Sequence, residues 1–519
     1  MSVTSTRMRT PSPQRQQETR KPLLALRAQV ETRCYPSPRS SPWTQNPTFW
    51  TYAALVFGLS LRLFYYLRNF SIWHDEAALI LNVLGKSFHE QLGSLFLHEA
   101  APPLFLWLER AVSLALGDGP FALRLVPLLT SCGALILFVP LARRWLPITC
   151  VPWAVLLFAC SDRLLWHACE AKPYAVDIFL ATLVLTLFTE TRTWPLARQI
   201  LLYALLSPIC IFLSYPGCFL CGGLLAVKLP AVWRTRRWQM GLRYAAWAAI
   251  VTGSFLLLLM GPIRSQQDAE MRSCWTKMFP DWSRPWSVPG WLVRSTADVV
   301  HYACNPLGEF LAWLAIVGGC ALWQRGERSL VALLTLPGTL AAVAACGHAY
   351  PYGGARVLAY TAPAIFLLLV AGLPGTFAWL QRRARWGQLV LLVLLALPLT
   401  NTCYRLIIPW PRADAAAAAA HVLAHRTADE PVFATGWEYL YYFRNDSRGL
   451  PELAQADFDP TRPLWVIITT RQETDRQRLA EQFVQGRALL ERQDFALTRV
   501  LHLGPDSRRA CRDAHNTAE

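Results

Sequence analysis

The stretch TYAALVFGLSLRLFYYL, Thr51 to Leu67, is followed after Arg68-Asn69-Phe70-Ser71-Ile72 by Trp73-His74-Asp75-Glu76. The first part is long and apolar enough to approach the ~20 residues that a bilayer-spanning helix needs. Two adjacent carboxylates at the mouth of such a helix are costly unless they face water, a partner or a substrate. The chain therefore reads as a membrane protein with acidic chemistry at one face.

Composition agrees. Of 519 residues, 54% are hydrophobic and 16% charged, and a soluble chain carries nearer ~25% charged residues. The net charge of +16 does not point to nucleic acid. Lys and Arg cluster between apolar runs, as cytoplasmic loops require, and no zinc-finger or RNA-binding motif accompanies them. Most of the 14 cysteines lie in apolar runs and behave there as small hydrophobes. Cys274 and Cys304 flank one loop and are expected to pair only if that loop faces an oxidising compartment.

Residues 1–46 are polar and basic: Arg7, Arg9, Arg15, Arg20, Lys21, Arg27, Arg33 and Arg39 face only Glu18 and Glu31. Such a segment cannot bury enough apolar surface to fold alone, so a disordered cytoplasmic tail is expected. Apolar runs follow at 51–68, 120–141, 147–165, 173–190, 199–214, 216–230, 244–262, 304–323, 329–347, 356–380 and 387–403. They predict an α-helical polytopic protein with about 11 transmembrane helices over 47–403. With the tail inside, alternation puts Arg143-Arg144, the stretch Lys228–Arg243 and Arg382-Arg383-Ala384-Arg385 on the cytoplasmic side together. Pro102–Leu116 breaks the pattern if it spans, because later basic clusters would then fall outside. It is short and carries Glu109-Arg110, so it reads as an interfacial or re-entrant helix.

Residues 404–519 change character. Ala415–Ala420 favours helix. Pro431–Thr435 and Leu464–Thr470 look like strands, Asp475–Arg492 like an amphipathic helix, and Ala496–Leu503 like another strand. A small extracytoplasmic α/β domain is expected.

With this topology the polar constellations share one face: Trp73-His74-Asp75-Glu76, His98-Glu99 before Pro102-Pro103, Glu170-Ala171-Lys172-Pro173-Tyr174, Tyr215-Pro216-Gly217, and Tyr350-Pro351-Tyr352-Gly353-Gly354-Ala355-Arg356. The long loop 263–303, with Trp275, Trp282, Trp286 and Trp291, joins them. Asp75 or Glu76 suits a general base. Lys172 and Arg356, each opening a helix, suit a leaving phosphate. His74, His98, Glu99, Glu170, Tyr174 and Tyr352 are weaker substrate-binding candidates. The bland alternatives are also plain: Asp75 and Glu76 as helix N-terminal acids, Lys172 snorkelling, and Arg62 in a structural ion pair.

Taken together these motifs resemble the GT-C membrane glycosyltransferases, in particular the family of protein O-mannosyltransferases and the aminoarabinose transferase of lipid A. Asp75-Glu76 matches an acidic motif in the first external loop, and Pro102-Pro103-Leu104 matches a stretch that opens the following helix. Glu170 to Tyr174 matches Glu-Ala-Arg-Pro-Tyr, and Tyr350 to Arg356 matches a Tyr-Pro-aromatic-Gly-Gly-x-Arg ending. The resemblance covers residues 50 to 400. Two departures stand out: Lys172 replaces the usual Arg, which loses a bidentate grip, and Ala101 stands where His is common.

The resemblance implies inverting transfer from a polyprenyl-phosphate sugar to a lipid, glycan or protein acceptor, with no obligatory metal or other cofactor; the sequence does not require a divalent cation. The expected setting is a membrane bilayer, and the Arg-, Trp- and Ala-rich composition suggests a bacterial inner membrane. Two other classes compete. A transporter or flippase of lipid-linked sugar would favour internal repeats and midplane charges, neither of which the sequence displays. A non-catalytic membrane scaffold would leave the Asp75-Glu76 pair idle.

Overall fold

The computed structural model describes residues 46–428, 430–453 and 462–506. Of the expected tail, residues 1–45 lie outside the described residues. Eight of the eleven apolar runs become helices long and apolar enough to cross a bilayer: Pro120–Trp145, Tyr174–Thr193, Leu196–Leu213, Gly217–Thr235, Trp238–Gln266, Arg328–Cys346, Arg356–Arg383 and Trp386–Ile407. The chain is a multi-pass membrane protein.

The other three runs behave differently among the described residues. Pro47–Leu67 forms a 21-residue helix, but it is more polar than those eight and holds Arg62 buried within it. The run 147–165 breaks at Cys160-Ser161 into two short helices, Val151–Ala159 and Asp162–His167. The run 304–323 ends in Ala312–Gln324 and joins Val288–Ala303 at a bend of 105°. The loop expected over 263–303 is therefore largely helical at its end. Pro103–Leu116 is a 14-residue helix. At ~1.5 Å per residue it is too short for a ~30 Å hydrocarbon core.

Small residues set the closest helix packing. A Cβ on Gly318 would lie 1.8 Å from the Leu368 carbonyl oxygen, and one on Gly372 2.4 Å from that of Leu314. Only glycines allow Ala312–Gln324 and Ala362–Arg383 to approach this closely, the usual device where lipid offers no hydrophobic drive. Among the described residues, the expected Arg62 ion pair does not form. Its guanidinium donates instead to Ser131 Oγ at 2.9 Å and to the carbonyls of Gly58 and Ala159. Cys274 and Cys304, whose pairing was conditional on an oxidising compartment, are both free thiols, Cys274 exposed and Cys304 buried.

Past Ile407 the chain builds a small α/β unit. Helix Ala415–His425 forms as the alanine run predicts. The described strands are β1 (Val432–Ala434), β2 (Leu464–Thr469), β3 (Arg487–Phe495) and β4 (Thr498–Asp506), ordered β1-β2-β4-β3. β1 runs parallel to β2, and the other pairs are antiparallel. The amphipathic helix expected over Asp475–Arg492 stops at Val484, because Gly486 (φ +86°) turns the chain and β3 pairs with β4. Glu438–Tyr442 forms a short helix that packs on His74–Gly85. Tyr442 Oη accepts from Ile72 N–H at 2.8 Å, and Tyr441 Oη donates to the Asp118 carbonyl at 2.9 Å.

Candidate active site

The helix His74–Gly85 starts without a side-chain cap, so its free N–H groups favour acidic residues in the first turn. Asp75 and Glu76 both lie there, yet they face opposite environments. Glu76 is fully buried. It accepts from Arg124 Nε and Nη2, each at 2.7 Å, and from Ala171 N–H at 2.8 Å. Arg412 lies 3.8 Å away and stacks its guanidinium over Trp166, 4.0 Å from the ring centroid. Glu76 is thus the anion of a buried charge cluster, and its bond to Ala171 fixes the turn that carries Lys172.

Asp75 faces the other way and keeps 22% of its side chain exposed. Arg356 grips it with Nη1 at 2.7 Å and Nη2 at 3.1 Å, and Lys172 Nζ lies 3.1 Å from it. Lys172 also donates to Glu99. Four motifs far apart in sequence therefore supply one cluster of two carboxylates and two cations. Each is set by its own element: Lys172 precedes Pro173 and the helix Tyr174–Glu190, and Arg356 opens the 3-10 turn Arg356–Thr361. Tyr350 Oη donates to the Val357 carbonyl at 2.7 Å and ties the motif to that turn. Gly354 lets the same loop press against Asp298, whose carbonyl oxygen would lie 2.7 Å from an added Cβ.

The electrostatics follow from this geometry. Burial works against ionisation of Asp75, but Lys172 and Arg356 outweigh it and hold the carboxyl below its ordinary range. Burial pushes Glu99 up by more than the Lys172 ammonium draws it down, and the Asp75 charge adds to the rise. Burial would lower Lys172, yet Asp75 and Glu99 together raise it.

The weaker candidates divide. Tyr174 lies beneath Arg356, whose guanidinium carbon is 5.7 Å from its ring centroid and 6.0 Å from that of Trp275. His74 points to the C-terminal unit and stacks on Trp437. Glu170 is buried and turned away, accepting from His167 Nδ1 at 2.6 Å and Trp166 Nε1 at 2.8 Å. Burial opposes its ionisation, and the His167 bond leaves its carboxyl below the usual value. Tyr352 bonds Thr296 at 3.0 Å. His98 is not part of the cluster and contacts Asp268 at 2.5 Å and Glu270 at 3.0 Å. Among the described residues, no group of three or more His, Cys, Asp and Glu side chains gathers as a metal site needs.

Sequence reasoning missed Arg124, Arg412 and Trp437. Arg124 sits alone in an apolar run, and a lone cation there was itself the signal of a buried acidic partner. Nothing local marks Arg412 or Trp437.

No family model matches the chain, and no curated protein matches its sequence. Solved structures do. ArnT from Cupriavidus metallidurans in the apo state aligns with a TM-score of 0.50 at 12% identity, over 86% of this chain and 97% of that one. The same protein bound to undecaprenyl phosphate gives 0.49 at 12% identity over the same shares. The Archaeoglobus fulgidus oligosaccharyltransferase in complex with Zn and sulfate gives 0.46 at 14% identity, over 78% of this chain and 58% of that one.

Proposed function

We infer from the likeness to ArnT that the chain has a GT-C type fold, with a small C-terminal sheet unit. On that premise we propose that the protein is an integral-membrane glycosyltransferase. It moves a sugar from a polyprenyl-phosphate donor to an acceptor hydroxyl or amine, with inversion, at the extracytoplasmic face. The observation that carries this reading is the placement of Asp75 between Lys172 and Arg356. A base and two phosphate-binding cations there share one point at the mouth of the membrane helices. Asp75 takes the acceptor proton as the acceptor oxygen or nitrogen bonds to the anomeric carbon. The bond from that carbon to the phosphate oxygen breaks, and the polyprenyl phosphate leaves with its charge on Lys172 and Arg356.

The same contacts make the base depend on the donor. Asp75 shares both cations, so a phosphate drawn to them loosens their hold on it and raises its basicity. The site is thereby strongest as a base when the donor is in place. No metal enters this reading, because the Lys172 ammonium already bridges Asp75 and Glu99; chelation with EDTA then leaves transfer unchanged. A bacterial inner membrane, an inside N-terminus and an outside C-terminal unit complete the proposal. Cysteine labelling that placed residues past 410 in the cytoplasm would overturn that topology.

The test is transfer from a panel of radiolabelled polyprenyl-phosphate sugars, using membranes with wild-type protein or Asp75→Asn. Product from wild type alone is expected and names the sugar. Equal product from both would remove Asp75 as the base. The absence of internal repeats and the placement of charge at one face favour this reading over a transporter, whose sites lie near the midplane.

A further inference from the structure

Against His74, the residue that precedes Asp75, the C-terminal unit presents an aromatic surface. The Trp437 indole stacks on the His74 ring with centroids 3.9 Å apart and planes 20° from parallel. His74 keeps 46% of its side chain exposed, and Trp437 is half-buried, so the stacked pair borders open space. The mount beneath it is stiff. Trp437 N–H donates to His74 Nδ1 at 3.3 Å. The Glu438 carboxylate is buried, with one oxygen 3.5 Å from the same nitrogen and no hydrogen-bond partner among the described residues. A Cβ on Gly436 would lie 2.3 Å from that carboxylate and would force it to shift. The short helix behind Trp437 is locked to the membrane domain through Tyr442 and Tyr441 and through Arg444, 2.8 Å from Asp118.

A simple docking contact would bury both rings, as Trp465 is buried within the same unit. Here the rings stay partly exposed, and one of them belongs to the residue that precedes Asp75 in the chain. With Nδ1 accepting from Trp437, a neutral His74 carries its proton on Nε2, a hydrogen-bond donor beside the platform. A flat apolar face next to hydrogen-bonding groups suits a ring whose faces are C–H and whose rim is hydroxyl.

We propose that His74 and Trp437 form the acceptor subsite and that the acceptor is headed by a sugar, whose ring stacks on this platform and offers a hydroxyl to Asp75. This rests on the glycosyltransferase reading above. The C-terminal unit then contributes a binding residue directly to the site.

The experiment uses the full chain in nanodiscs and short-chain alkyl glycosides as probes. Binding is read by saturation-transfer difference NMR without donor, and transfer is read with donor. Wild type and Asp75→Asn are expected to bind at least one glycoside. Trp437→Ala should weaken that binding roughly tenfold, the loss that ~1.4 kcal/mol of stacking produces, and raise the acceptor KM with kcat little changed. Trp437→Phe, which keeps a ring, should restore most of the affinity and report that the fold is intact. Glycoside binding that Trp437→Ala leaves unchanged, or transfer to Ser- and Thr-containing peptides but to no glycoside, overturns the proposal. Trp437-dependent glycoside binding without transfer from any donor would instead support the subsite and contradict the transferase reading.

Discussion

Replacing Glu76 by Gln separates the two neighbouring carboxylates. Glu76 is fully buried, and its partners Arg124 and Arg412 are 2% and 4% exposed, so solvent screens none of these charges. Glutamine keeps one acceptor oxygen but turns an NH₂ group toward donors on Arg124 or Ala171. It leaves two buried guanidinium groups without their anion. Removing one partner of a buried ion pair costs about 3–5 kcal/mol, and that range applies here. The Asp75→Asn change costs far less, about 1 kcal/mol, because Asp75 and Arg356 are partly exposed and Lys172 keeps Glu99. The assay is denaturant unfolding of both purified variants in detergent, paired with transfer at a permissive temperature. Glu76→Gln should be the unstable variant, with residual transfer and a raised donor KM, since Ala171 no longer holds the turn that carries Lys172. Asp75→Asn should be near wild type in stability and inactive. A Glu76→Gln protein as stable as wild type but unable to transfer would refute this division and make Glu76 the base.

Two further outcomes follow from the same cluster. Asp75 must be ionised to act, so activity falls as pH drops through its pKa. In the free protein that pKa is held below the carboxylate norm, and a bound phosphate drawing away Lys172 and Arg356 raises it. The acidic limb of kcat should therefore lie at higher pH than that of kcat/KM, and coincident limbs would contradict this. Arg356→Lys keeps the charge but loses the two-pronged contact, and should raise the donor KM by about tenfold or more with a smaller change in kcat; initial-rate kinetics with varied donor decide it.

Much of this architecture is written locally in the chain. Hydropathy located eight spans because each must be apolar over its own length, and the motifs at their mouths carried Asp75, Lys172 and Arg356. What stayed hidden depends on distant partners. The different surroundings of Asp75 and Glu76 are set in part by Arg124 and Arg412, which contact Glu76 and which no local pattern connects to it. Arg62 was expected to need an acid, but its guanidinium bonds instead to a serine hydroxyl, to a carbonyl of its own helix and to one of a neighbouring helix. Residues 487–492 read as helix by composition, yet the strand pairing of β3 with β4 overrides that preference once Gly486 turns the chain. The run 147–165 is apolar enough to span, and only its packing reveals the break at Cys160-Ser161.

The central claim is that Asp75 is a base whose charge competes with the donor phosphate for Lys172 and Arg356. Binding of a polyprenyl phosphate to wild type, Asp75→Asn and Lys172→Met in nanodiscs tests it most directly. Asp75→Asn should bind at least as tightly as wild type while transferring nothing, and Lys172→Met should bind more weakly. Weaker binding by Asp75→Asn would contradict the account, making Asp75 an organiser of the phosphate site and not its rival.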